Sequence, residues 1–206
     1  ETALLLARSN ATLCLVDRDK AHLDQTAETC SEFGENPPIS IHADMSKPED
    51  IRTMVDSAMD QCGAVDFLVT SAGIIYRTPF TQIDLQEWDD VMNTNVRGLF
   101  LCNQMVVKEM IRQGGGTIVN IASVAGRSIS LIGGVHYCAS KHAVIGITRH
   151  MARELCNRGI RANAFCPGAT HTAMITDNLT ETEIKGLHDR IPLGRLAEPA
   201  EQANVI

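Results

Sequence analysis

The stretch GGGTIVNIASVAGRSISLIGGVHYCASKHAVIGIT, residues 114–148, decides how the chain is read. Gly114, Gly115 and Gly116 make a turn, and Thr117 to Ala122 is an apolar, β-branched run of the kind a buried strand requires. Ser123 stands at its end. A loop rich in Gly and Ser (Gly126, Ser128, Ser130, Gly133, Gly134) leads into a helical stretch that opens with Tyr137 and carries Lys141 one turn later. Residues four apart share a helix face, so the phenol and the ammonium project into one space, within reach of the serine hydroxyl. Such a trio suits proton transfer to or from a carbonyl or alcohol oxygen. A phenol titrates at about 10, and a fixed positive charge nearby is expected to lower that value. Tyr137 then serves as acid or base, Ser123 holds the reacting oxygen, and a hydride carrier supplies the other half of the reaction. An ordinary helix-surface pair has the same spacing, so the rest of the chain must decide.

Working outward, Val65 to Thr70 is a second apolar strand, running into Ser71-Ala72-Gly73. One long helix then carries Leu85, Trp88, Met92, Leu99, Val106 and Met110 at three- and four-residue steps, with Asn95 in its middle. Before these, residues 1–9 read as helix, Thr12 to Val16 as a strand closed by Asp17, and Asp19 to Phe33 as an amphipathic helix stopped by Gly34 and Pro37-Pro38. Ile39 to Ala43 is a strand closed by Asp44, and Ser46-Lys47-Pro48-Glu49 opens the next helix. After the Tyr137 helix, which runs to Leu155, comes a strand from Arg161 to Cys166, ended by Pro167-Gly168. Strands apolar on both faces that alternate with helices predict an α/β fold, a doubly wound parallel sheet flanked by helices on both faces, in a single domain over residues 1–206. Ligands of such sheets bind beyond the carboxyl ends of the strands. Asp17, Asp44, Ser71 to Gly73, Ser123 and Pro167-Gly168 are therefore expected to line one crevice.

Composition narrows the class of protein. A net charge of −7 with no basic cluster argues against nucleic acid or an anionic membrane as partner. No apolar run has the length of a membrane span and the start lacks a signal-peptide pattern, so the expected location is cytoplasmic. The seven Cys are scattered and mostly inside apolar runs, as reduced cysteines are, and no metal-ligand spacing occurs. Cys138 beside Tyr137 reads either as a reactive thiol or as a small helix residue. Asp17 closes a strand where an acid can hold the adenosine ribose hydroxyls of NAD and repel the 2′-phosphate of NADP, although an acid that opens a loop reads the same way. The glycine-rich phosphate turn that should precede such an acid by roughly 20 residues is missing before Glu1. The chain is accordingly expected to belong to a longer protein, truncated here at both ends, with an unpaired slot in mid-sheet.

Asp17, Ser71-Ala72-Gly73, Asn95, Ser123, Tyr137-Cys-Ala-Ser-Lys141 and Pro167-Gly168 together resemble the short-chain dehydrogenase/reductase family, in its order and over essentially all of the chain. The resemblance implies a Rossmann-type oxidoreductase that interconverts a secondary alcohol and a ketone of sugar, polyol, steroid or 3-oxoacyl type. It implies a nicotinamide cofactor, which Asp17 favours as NAD over NADP; the alternatives are a 3-oxoacyl carrier-protein reductase using NADPH and a non-catalytic assembly protein that keeps the fold. The implied catalytic group is Asn95, Ser123, Tyr137 and Lys141, with Lys141 also on the nicotinamide ribose and Asn95 anchoring a water. Asp17, Asp44, Met45, Ser71, Ala72, Gly73, Pro167, Gly168 and Thr172 would contact the cofactor, and residues 173–190 would form a lid over a small-molecule alcohol or ketone. A homodimer or homotetramer built on the two long helices is implied as well. Three departures stand out: Ser71 replaces the family's usual asparagine, Ser123 and Tyr137 are one residue further apart than usual, and a last strand is missing.

Overall fold

The structure, a computed structural model, describes all 206 residues. In chain order the elements are α1 (Thr2–Arg8), β1 (Cys14–Asp17), α2 (Lys20–Ser31), β2 (Ile39–His42), α3 (Pro48–Cys62), β3 (Phe67–Thr70), α4 (Leu85–Met92), α5 (Leu99–Gln113), β4 (Gly116–Ile121), α6 (Val135–Leu155), β5 (Ile160–Phe165), α7 (Ala173–Thr176), α8 (Glu181–His188) and α9 (Pro199–Ala203). All strand pairs are parallel: β1 with β2, and β4 between β3 and β5. The strands and helices alternate as the apolar pattern predicts. The sheet, however, is in two parts, because β1 and β3 are not hydrogen-bonded to each other.

Helix-to-strand packing holds the larger part. Ile51, Met54 and Val55 of α3, Cys102, Val106 and Met110 of α5, and Ile118, Ile160 and Ala162 of the sheet form one buried cluster. Ile118 and Met110 are completely buried, and each such side chain is worth roughly 1.5–3 kcal/mol of transfer free energy. All seven cysteines are free, and no helix is long and apolar enough to cross a membrane.

The single long helix read from Leu85 to Met110 is corrected. It is α4, a π-helical turn over Asn93–Gly98, and α5. Its physical cause is tertiary. The Asn95 side chain is drawn to the segment after β3, and a Cβ at Gly98 would stand 2.1 Å from the carbonyl oxygen of Met45. Only glycine permits that approach, which seats the turn on the loop leaving β2. Single π turns inside α-helices recur at functional sites.

Candidate active site

Ser123 leaves β4 in extended conformation (φ −175°, ψ 159°) and caps a 3₁₀ turn over Val124–Gly126, its Oγ accepting the Ala125 N–H at 3.1 Å. That bond orients the hydroxyl and leaves its proton to donate toward the Tyr137 phenol. A Cβ at Gly126 would lie 2.5 Å from the Lys141 carbonyl oxygen. The turn and α6 thus meet backbone to backbone, which brings Ser123 to the helix that carries Tyr137 and Lys141. The loop between Ser123 and Tyr137 reaches the surface, where Ile129 is 73% exposed. Cys138 Sγ lies against the same loop, donating toward the carbonyls of Ala125 and Ser128 at 3.1 and 3.4 Å.

Tyr137 and Lys141 are both buried. Lys141 Nζ lies over the Tyr137 ring, 5.8 Å from its centroid, and donates to the Ile121 carbonyl at 2.9 Å. Burial lowers the lysine from its ordinary value to about 8, with Cys166 acting in the opposite sense. Burial also pushes the Tyr137 phenol up, with the Ser123 hydroxyl working against it and Cys138 with it. This corrects the expectation that Lys141 lowers the phenol. The ammonium sits over the ring, and exclusion of water is the larger effect.

Asn95 is buried on the π turn. Its Oδ1 accepts the Ile74 N–H at 2.8 Å, and its amide donates to the Ile74 carbonyl at 2.9 Å and to Ser140 Oγ at 3.0 Å. Ser140 Oγ in turn donates to the Tyr137 carbonyl at 2.7 Å. The side chain is therefore a clamp between the segment after Gly73 and the first turns of α6, where the resemblance implies a water anchor. Gly73 lies against the same group, since a Cβ there would be 3.4 Å from Asn95 Oδ1 and 3.5 Å from Lys141 Nζ.

The remaining predicted residues sit at strand ends. Asp17 is exposed at the end of β1, with Oδ1 taken by the Asp19 N–H at 2.8 Å and Oδ2 without a protein partner. Asp44 is half-buried. Burial raises its carboxyl, but hydrogen bonds from the Ser46 N–H and hydroxyl and the charges of Lys47 and Arg18 more than reverse this, leaving it below the ordinary value. Ser71 and Ala72 are exposed, and Pro167 accepts the Val124 N–H at 2.9 Å beside Ser123. Thr172 is exposed at the start of α7, and Gly168 is open to solvent. Ser123, Tyr137, Lys141, Asn95 and Gly73 are thus brought together, whereas the hydrogen bonds of Asp17 and Thr172 do not reach that group.

Two features escaped the sequence reading. The central strand is held by a buried network, in which Asn120 accepts from Thr70 at 2.6 Å and from Asn103 at 3.0 Å and donates to Thr148 at 3.0 Å. A polar residue inside the apolar run of β4 was its one visible signal. The segment expected to form a lid is also anchored. Arg77 donates to the Asn178 carbonyl and to Glu183, and Arg77 and Thr180 hold the Glu183 carboxyl down to about 2.

Parallel strands flanked by helices, with a buried tyrosine and lysine beside a strand-end serine, define a dinucleotide-type oxidoreductase. The short chain dehydrogenase family profile matches residues 1–183. A 3-oxoacyl-[acyl-carrier-protein] reductase of Thermotoga maritima is 37% identical over 206 residues, covering 100% of this chain and 82% of its own. One from Staphylococcus epidermidis is 38% identical over 168 residues, which is 82% of this chain and 68% of the relative. Among solved structures, a short-chain type dehydrogenase/reductase from Mycobacterium marinum has a TM-score of 0.92 at 31% identity, covering 99% of this chain and 80% of that one. A 3-ketoacyl-(acyl-carrier-protein) reductase from Brucella melitensis complexed with NADH has a TM-score of 0.90 at 30% identity, covering 99% and 82%. The chain belongs to the short-chain dehydrogenase family. It is an NAD(P)-dependent oxidoreductase acting between CH–OH and ketone on small molecules.

Proposed function

We propose that the protein reduces the 3-oxo group of an acyl thioester, or oxidises the matching alcohol, with Asn95, Ser123, Tyr137 and Lys141 as its working group. The single observation that carries this reading is the buried Tyr137–Lys141 pair with the Ser123 hydroxyl beside it. A bound reduced nicotinamide supplies the hydride. Tyr137 gives its phenolic proton to the developing alkoxide, and Ser123 donates a hydrogen bond to the same oxygen before and after transfer. Lys141 fits the cofactor's ribose hydroxyls, because its buried ammonium has a protein partner for only one of its three N–H donors. Gly73 leaves room for the cofactor next to it, and Asp44, Met45, Ser71, Ala72, Pro167, Gly168 and Thr172 are proposed to line the rest of its path. The relatives' names and the NADH-bound neighbour support the substrate class and the cofactor.

NAD is the proposed cofactor because Asp17 keeps one carboxylate oxygen free at the end of β1. A like charge set against a 2′-phosphate costs several kcal/mol, which gives an expected preference for NADH of at least about tenfold in kcat/KM. Steady-state rates with both cofactors and an acetoacetyl thioester test this, and Asp17→Ser should remove the preference. A native enzyme that favours NADPH would overturn it.

A homodimer or homotetramer is proposed through the α4–α5 and α6 faces, where Trp88, Phe100, Ile111 and Val135 remain 36–44% exposed. Sedimentation equilibrium should give two or four times the 22.4 kDa chain mass. A monomer would contradict this.

A further inference from the structure

The first turn of α6 presents Tyr137, yet Gly134 at its start offers no side-chain cap to the free N–H groups. A different device holds this turn. His136, next to Tyr137, is completely buried, and its Nε2 is 2.8 Å from Oε1 of Glu87 in the first turn of α4. The other carboxylate oxygen, Oε2, accepts from Thr78 Oγ1 at 2.8 Å. The Tyr76 ring stacks on the imidazole at 6.1 Å and 20°, and the Tyr76 carbonyl accepts the Gly134 N–H at 2.8 Å. Three separate pieces of chain are thereby tied at one imidazole: α4, the loop after β3, and α6. A carboxylate beside a helix N-terminus is also favourable to the dipole there.

A buried histidine and a carboxylate that is only 20% exposed carry a desolvation cost, and the proton transfer described above uses neither. We infer that His136, through Glu87 and Thr78, is a positioning residue that sets the backbone of Tyr137 against Ser123 and Lys141 and locks the loop at Tyr76–Thr78 to the same frame. The inference deepens the proposed mechanism and rests on its assignment of Tyr137. Adjacent residues on a helix move together, so slack at His136 becomes slack at the phenol. Its Nδ1 has no protein partner, which leaves the Nε2 bond as the one directional restraint on the ring.

The chain has only two tyrosines, so 3-fluorotyrosine labelling gives two ¹⁹F resonances, and Tyr137→Phe identifies the one from Tyr137. His136→Leu removes the bond, whereas His136→Gln places an amide donor near the position of Nε2. In His136→Leu the Tyr137 resonance should shift or split, and kcat should fall at least about tenfold with the Kd for NADH within about twofold of native, as misplacement of a reacting group implies. His136→Gln should restore both. A folded His136→Leu with native resonance and kcat overturns the inference, and so does a His136→Gln as impaired as the leucine variant. If His136→Leu does not fold, Thr78→Val decides, since it deletes only the hydroxyl. It should move the resonance and lower kcat by about threefold, and a native spectrum and rate would overturn the inference. Absence of turnover by the native protein on the thioester would refute the substrate reading alone, because the fluorine spectrum needs no substrate.

Discussion

Tyr137→Phe is expected to lower turnover by about 10²–10⁴-fold, the range that a lost general acid commands, while fold and NADH affinity stay native. The ring keeps its packing. It lies against the Gly133 backbone, where a Cβ would come 2.8 Å from Tyr137 Cδ1 and from Ile75 Cδ1. Removal of the hydroxyl leaves the backbone clamp at Ser140 and Asn95 in place, so the change in stability should stay within about 1 kcal/mol. The pH dependence has a definite sign. Reduction needs the protonated phenol, and burial raises its pKa above the ordinary value. The rate of reduction should therefore be flat through neutral pH and decline only at alkaline pH. Oxidation, which needs the phenolate, should rise over the same alkaline range. Stopped-flow traces of nicotinamide absorbance on both proteins check the magnitude and the sign together.

Lys141→Met is expected to make the protein more stable and nearly inactive. The buried ammonium has its pKa lowered from 10.5 to about 8. For a lysine, a lowered folded value means that the charged form is disfavoured in the native state, so burial of the charge costs stability. That cost is present in full below about pH 8, where both states are protonated. It is relieved between about 8 and 10.5, where the folded state releases its proton first. The shift corresponds to on the order of 3 kcal/mol, and the loss of the bond to the Ile121 carbonyl returns about 1 kcal/mol. A net gain of about 2 kcal/mol near neutral pH raises Tm by about 4–8 °C in a chain of this size. The advantage of the methionine variant should shrink as pH rises from 8 toward 10.5. Thermal melts across that window, paired with NADH titration, test it. A variant less stable than native at pH 7, or one with native turnover, would contradict the role given to this lysine.

Much of the site was legible because its chemistry follows local spacing. Tyr137 and Lys141 are one helical turn apart, and Ser123 ends an apolar strand, so periodicity alone places all three near one point. Asp17 and Asp44 were readable in the same way, as polar residues that close apolar strands. Contacts between distant segments could not be read. The π turn at Asn95 depends on the approach of Gly98 to Met45 and on the bond to Ile74, neither of which leaves a mark in the pattern of Leu85 to Met110. The rise in the Tyr137 pKa had the same origin. Proximity in sequence announces the charge of Lys141, but only the packed structure shows that the ammonium faces the ring and that burial prevails. His136 and Glu87 lie 49 positions apart, and each alone reads as an ordinary polar helix residue.

Hydride transfer assisted by Tyr137 is tested most directly with NADH carrying deuterium at both C4 positions, by measuring the mass of the 3-hydroxyacyl thioester formed by the native protein and by Tyr137→Phe. The expected result is one deuterium at the carbinol carbon of the native product and essentially no product from the variant in the same time. A product without deuterium, or equal labelled product from both proteins, would contradict it.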